Sequence, residues 1–391
     1  MWACILLSFL VYVMFAVAIM LSTWTIAVGD DGAGAVFGAM LFFYVPSVAA
    51  PYAFGVAIDS NRGVHWLIGV ALAMVIGLYA ALVIFGGTYL FICMTLVATS
   101  FYRELSNIMV RKRLASWAGR RCLVKLNGWE TTARRLGYLC GSVVGGGLLT
   151  LVTIEVGFSL LIALALVVVL LLRYVARCAG EVAERGRLRS SFTRVYEQFS
   201  GTWLWLWVGI FIIHCVAAEI LSAALAVFVV TAISERPFDM SLISNAHMIG
   251  ALVGGVILSR VVTPARPIRA LATYMLCLAA TIYLFSLATS VMAAVIGFFC
   301  VGLFFQGRIL CQALIQAECS AAHQAKLQSV VSVGSGIATM VSLALLSQFS
   351  AVITPSHYFV AIVAMLLFAF LVCFAAVAGS KPIQGQLQSV G

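Results

Sequence analysis

The chain is 391 residues long, 64% hydrophobic and only 9% charged, with a formal net charge of +10. Soluble globular domains carry about 25% charged residues, so composition excludes them and leaves an integral membrane protein. The charged residues fall in clusters between apolar runs of roughly 20 residues, the length of helix that crosses about 30 Å of hydrocarbon. A membrane β-barrel would alternate apolar and polar residues instead.

Taken in order, twelve helical spans are predicted: 3–27, 34–57, 66–85, 88–108, 126–152 and 156–176, then 203–233, 241–261, 269–288, 291–314, 328–351 and 357–378. The start of the first, Met1 to Met20, has neither a basic leader nor an A-x-A-like site, so no cleavable signal peptide is expected. The longest polar stretch, Arg177 to Gly201, divides the spans six and six and reads as a solvated amphipathic linker. The expected fold class is all-α, with six spans in 1–176, a cytoplasmic linker over 177–201 and six spans in 202–391.

Orientation follows from Lys and Arg, which accumulate on the cytoplasmic side. With the amino terminus inside, all of the 23 except Arg236 fall on that side or in the inner ends of helices. The outward loops instead carry Asp30, Asp31, Glu155, Glu235 and Asp239. Both termini are therefore expected in the cytoplasm, and the positive charge marks topology rather than nucleic-acid binding.

The 11 Cys lie mostly in apolar runs, with no C-x-x-C and no zinc-type pairing with His. They read as small buried hydrophobes, so neither disulfides nor a metal is expected. The sequence has no G-x-x-x-x-G-K-[ST], G-x-S-x-G or H-E-x-x-H motif, hence no visible site for ATP-driven transport or hydrolysis. No cofactor is expected, and an enzyme is not.

The hinge between spans 2 and 3 reads Gly55-Val-Ala-Ile-Asp59-Ser-Asn-Arg62-Gly-Val-His65. It resembles the signature loop of the major facilitator superfamily, G-x-L-a-D-r-x-G-r, whose Asp ends the second helix on the cytoplasmic side and holds the two halves together there. Gly55 and Asp59 match, whereas Ala57 stands for Leu, Ser60 for the first Arg, and Arg62 and Gly63 are in swapped order. After span 4 come Arg120, Leu123 and Arg135-Leu136-Gly137, then Gly141 and Gly145 to Gly147. This region is similar to the exporter branch that includes the enterobactin exporter and macrolide efflux pumps. The resemblance implies two six-helix bundles around a central cavity, alternating access, and a gate of Gly55, Asp59, Arg62 and Arg103. Independently of it, Gly137, Gly141 and Gly145 recur every four residues on one helix face and would let a neighbouring helix approach closely.

The two halves echo each other, as transporters built from repeats do. Gly55 and Asp59 are answered by Gly255, Ser259 and Arg260. Phe101-Tyr102-Arg103 near the end of span 4 is answered by Phe305-Gln306-Gly307-Arg308 near the end of span 10. Each Arg lies about 22 to 26 Å down its helix from the outer side.

Ionisable residues inside spans cost about 2.5 to 3.5 kcal/mol each on insertion scales, which makes them functional candidates. Glu219, about 24 Å into span 7, is the clearest: it either carries a coupling proton or substrate, or pairs with a neighbouring helix. His214 on the same span is a second proton-coupling candidate or a satisfied packing residue. Asn245 and His247 on span 8 lie at similar depth and either partner Glu219 or pack between helices. Arg103 and Arg308 either form ion pairs at a cytoplasmic gate, with Glu104 and Glu130 near the first, or hold an anionic substrate group. Gln306, Gln312 and Gln316 either line a cavity or mark the inner end of span 10. Trp203, Trp205 and Trp207 read as an interface belt.

The expected function is a monomeric secondary transporter of a bacterial inner membrane, surrounded by lipid. It is expected to export a small amphipathic metabolite, siderophore-like or drug-like, in exchange for protons. The alternatives are uptake of a siderophore or organic anion, and a non-transporting receptor or assembly partner on the same scaffold.

Overall fold

A computed structural model describes residues 2–29, 32–58, 61–117, 120–177, 204–261, 267–317, 324–350 and 355–379. These residues form helices without a strand: α1 Trp2–Val28, α2 Gly32–Ile58, α3 Asn61–Phe85, α4 Tyr89–Trp117, α5 Arg120–Leu151, α6 Ile154–Arg177, α7 Leu204–Phe228 with a π-helical turn at Val229–Ile233, α8 Pro237–Val261, α9 Pro267–Ser286, α10 Val291–Phe304, α11 Gly307–Ala317, α12 Gln324–Phe349 and α13 Pro355–Gly379. Every predicted span has its helix, and α10 with α11 makes up the tenth. Asp30, Asp31 and nearly all of the predicted linker lie outside the described residues.

Apolar residues on both faces of a helix are the mark of lipid on one side and protein on the other. On α6, Phe158, Leu161, Ala165, Val168, Leu172 and Val175 are buried at helical spacing. The opposite face exposes Leu160, Leu166, Val167 and Leu170, which water would not tolerate as a continuous surface. By length and composition, eight helical stretches among the described residues can cross a membrane, α10 and α11 together among them.

The chain divides into two compact units. One comprises Met1–Arg189 with Leu225–Asn245 and Met340–Ala351; the other comprises Ser190–Ala224, Ala246–Thr339 and Val352–Gly391. In the first, α1 is the centre and packs on α2, α4, α5 and α6. The glycine face of α5 makes the closest of these approaches. A Cβ on Gly141 would stand 2.5 Å from the Val13 carbonyl oxygen, and one on Gly145 2.9 Å from Met20 Cβ; at Gly137 it would collide with the Phe9 carbonyl. Any larger side chain would push α1 off α5. In the same unit Ser241 donates to the Ser142 carbonyl at 2.7 Å, and Ser347 to the Gly34 carbonyl at 2.9 Å. These bonds tie α8 to α5 and α12 to α2.

In the second unit, Gly250 and Gly254 on α8 face α10 so closely that a Cβ would strike the carbonyls of Phe299 and Leu303, and Gly302 meets the His247 carbonyl in the same way. A core of Trp207, Phe211, Leu271, Met275, Leu310 and Cys373 joins α7, α9, α11 and α13. Trp207 is therefore a core residue, not part of an interface belt: it falls on the inward face of α7. Trp205 is half-buried, and Trp203 lies outside the described residues.

Candidate functional site

The gate motif is only partly described. Gly55 lies in the last turn of α2 and Arg62 near the start of α3, but Asp59 lies outside the described residues, as do the side chains of Arg62, Ser259 and Arg260. Two polar clusters deeper in the helices are described in full, one in each unit.

In the first unit α4 carries Arg103 into a ring-lined cradle. Its guanidinium carbon sits 4.2 Å from the centre of the Phe15 ring on α1 and 5.1 Å from that of Phe43 on α2. Both distances fall within cation–π range. The Tyr138 side chain of α5 lies within electrostatic reach of Arg103 and packs its ring 6.2 Å from that of Phe15. Arg103 pairs with its chain neighbour Glu104 at 2.5 Å, and only 14% of its side-chain surface is exposed. Glu130 does not join this group. It pairs with Arg134 one turn along α5 at 2.6 Å and accepts from Ser8 at 3.4 Å. The spacing of Glu130 and Arg134 is the ordinary helical i,i+4 ion pair, a signal present in the sequence. Above this pair, Tyr12 accepts from Asn107 at 3.1 Å and lies 5.8 Å from the Arg134 guanidinium.

In the second unit the tenth span breaks. α10 ends at Phe304, Phe305 and Gln306 form a turn, and α11 restarts at Gly307. Across the break the amides of Arg308 and Ile309 bond three residues back, to the carbonyls of Phe305 and Gln306 at 3.4 and 2.9 Å. This is the tighter 3₁₀ pattern that often marks a hinge within a helix. Phe305 is sandwiched edge-on between two histidines, 5.8 Å from the His214 ring and 5.7 Å from the His247 ring. Gly307 faces Tyr274 and His214: a Cβ there would stand 3.1 Å from Tyr274 Cβ and 3.5 Å from His214 Nε2.

His214 is fully buried. The Ile210 carbonyl one turn earlier lies near it, but neither ring nitrogen has a hydrogen-bond partner among the described residues. His247 stacks on Phe298 at 4.9 Å and interacts with the Phe298 backbone. Gln306 is buried and turns toward Gly255 on α8.

Arg308 follows the break directly. It is exposed, four residues from the inner end of the membrane-length stretch Val291–Gln312, so about 6 Å inside it. A guanidinium exposed there reaches water, headgroups or a counter-charge, since lipid tails are too costly. Glu219, half-buried on α7, lies within electrostatic reach of Arg308. His214 and Cys215 on α7 lie within the same reach. The structure thus brings together Glu219, His214, Arg308 and, through Phe305, His247. Asn245 is buried in the first unit, where its amide donates to Ser241 at 3.5 Å and its oxygen is without a partner among the described residues. No group of three or more His, Cys, Asp or Glu among the described residues could hold a metal ion.

No protein-family profile and no curated protein sequence matches the chain. Its structure, by contrast, is similar to solved ones over nearly its whole length. A mutant of the nucleoside transporter NupG aligns with a TM-score of 0.72 at 14% identity, covering 96% of this chain and 98% of that one. A second structure of NupG gives 0.68 at 13% identity, with 96% and 98% covered. A bacterial homologue of the human lysosomal transporter Spinster, inward-facing and unoccupied, gives 0.66 at 12% identity, with 96% and 95% covered. The chain is an all-α integral membrane protein with the major facilitator fold.

Proposed function

We propose that the protein is a proton-coupled secondary transporter of a small amphipathic molecule. In this reading the bundles of 1–176 and 202–391 alternate access to a site between spans, and the linker 177–201 is cytoplasmic. The observation that carries the proposal is the half-buried Glu219 carboxylate within electrostatic reach of Arg308, beside a broken tenth span. A carboxylate is expensive to keep ionised in the membrane interior. Arg308 offsets that cost in one state, and a proton offsets it in another. A ligand shifts a two-state equilibrium only through differential affinity for the states, and a proton on Glu219 supplies such a difference.

Export by exchange is the preferred direction, with a siderophore-like or drug-like metabolite as substrate. A donor group of the substrate and a proton would compete for the same carboxylate, so that one leaves as the other binds. The fifth-helix resemblance to exporters supports this choice. A second reading is favoured by the exposure of Arg308: a proton on Glu219 releases Arg308 to hold an organic anion, and the two then move together as in uptake. The NupG and Spinster likenesses are compatible with either.

Transport in proteoliposomes under an imposed pH gradient separates these readings. Exchange predicts accumulation of candidate metabolites in an acidic interior. Co-transport predicts accumulation of organic anions from an acidic exterior into an alkaline interior. Indifference to the gradient contradicts both and favours a non-transporting receptor. Asp59→Asn should weaken the inside-closed state and cut transport strongly while leaving membrane insertion normal. The proposed location is a bacterial inner membrane with both termini inside, so a cytoplasm-only reporter should be active after Arg189 and silent after Ser234.

A further inference from the structure

Away from both clusters, α3 and α6 enclose a groove of about 380 Å³. That volume falls within the range of about 300 to 1,000 Å³ for clefts that take small ligands. Gly69, Leu72, Ala73 and Ile76 line it from α3, at the spacing of one helix face, and Leu172 and Arg173 from α6. Its width comes from Gly69, beside which a Cβ would find nothing within 4 Å. The groove opens among exposed apolar side chains, Met74 on α3 and Leu166 and Leu170 on α6, so its surroundings are acyl chains.

One end differs. Arg173 is exposed and forms no ion pair among the described residues. It lies four residues from the end of α6, about 6 Å of helix, which is the depth of lipid headgroups. Trp66, one turn before Gly69, and Tyr174, next to Arg173, are both exposed. Aromatic residues of this kind mark the membrane–water interface. The groove is therefore apolar along its length with one cation at its headgroup end, the complement of a phospholipid bearing a negative headgroup.

We infer that this groove binds an anionic phospholipid, with an acyl chain along Gly69 and Ala73 and the headgroup phosphate on Arg173. The site belongs to the leaflet on the Arg-rich side and is independent of the transport site.

The full-length protein, purified in detergent with added phosphatidylglycerol and phosphatidylcholine and weighed by native mass spectrometry, tests it. Wild type should retain phosphatidylglycerol over phosphatidylcholine by about fivefold, the preference that one Arg confers at an anionic surface. Arg173→Gln should abolish the preference and Arg173→Lys should keep most of it. Gly69→Leu, whose Cβ would meet no protein atom within 4 Å, extends into the groove and should lower retention of both lipids, while melting at or above the wild-type temperature. Three results would overturn the inference: equal retention of the two lipids by wild type, an unchanged preference in Arg173→Gln, or displacement of the lipid by millimolar inorganic phosphate alone. A dimer that Gly69→Leu dissociates would also overturn it, by assigning the groove to a second copy of the chain.

Discussion

Arg103 and Arg308 stand at matching places in the fourth and tenth spans, yet their surroundings have diverged. Arg103 is enclosed by the rings of Phe15 and Phe43, and its counter-charge, Glu104, is its neighbour on the same helix. The Glu104 pair travels with α4 if that helix moves as a body, and only the ring contacts from α1 and α2 change. Arg308 is exposed, the acid within its electrostatic reach, Glu219, lies on α7, and its own helix restarts only one residue before it. Any shift of α11 against α7 alters the distance between Arg308 and Glu219. A repeat can thus keep a residue and reassign it: one Arg is fixed by local pairing, the other by a partner across a hinge.

The largest effect expected from this difference is on coupling. Arg308→Gln should abolish gradient-driven accumulation in proteoliposomes, because Glu219 then lacks its cation, while Arg103→Gln should leave accumulation measurable. Equal losses in the two would mean that the clusters do not differ in role. Next is the hinge. Phe305→Ala removes the ring between His214 and His247 and leaves a cavity worth about 3 kcal/mol or more. Its melting temperature in detergent should fall clearly, and cysteine labelling along α11 should accelerate. A variant as stable and as slowly labelled as wild type would show that the break is not held by this stacking.

A smaller effect is expected in the enclosed cluster. Arg103→Gln loses its ring contacts, about 0.5 to 2 kcal/mol, and should melt modestly lower with Glu104 left unmatched; the double variant with Glu104→Gln should recover part of the loss. The smallest belongs to Ser8→Ala. Its 3.4 Å bond to Glu130 is long, and the Arg134 pair remains, so less than about 1 kcal/mol is at stake. A loss as large as that of Arg103→Gln would assign Glu130 a role that its geometry does not suggest.

The twelve spans were legible because hydrocarbon thickness imposes a length on any apolar helix, and the α1–α5 contact because Gly137, Gly141 and Gly145 share one face. The same rule applied to Gly250 and Gly254 would have found the α8–α10 contact, and the i,i+4 rule would have given Glu130 to Arg134. The break at Phe305 was not legible. No proline marks it, and Gly307 alone does not stop a helix; the interruption depends on the two histidine rings that clamp Phe305 from other helices. The inward turn of Trp207 likewise depends on α9, α11 and α13, which no local pattern reports. Glu219 was singled out from depth alone, while its approach to Arg308 is a through-space fact.

The central claim, that Glu219 carries the coupling proton, is tested most directly by following protons. Proteoliposomes with an acidic interior and an internal pH dye receive a transported substrate from outside. The wild-type protein should dissipate the gradient in proportion to the substrate moved. Glu219→Gln, a permanent mimic of the protonated group, should still exchange labelled substrate across the membrane yet leave the gradient intact. If Glu219→Gln dissipates the gradient at the wild-type rate, the proton moves elsewhere and the account is wrong.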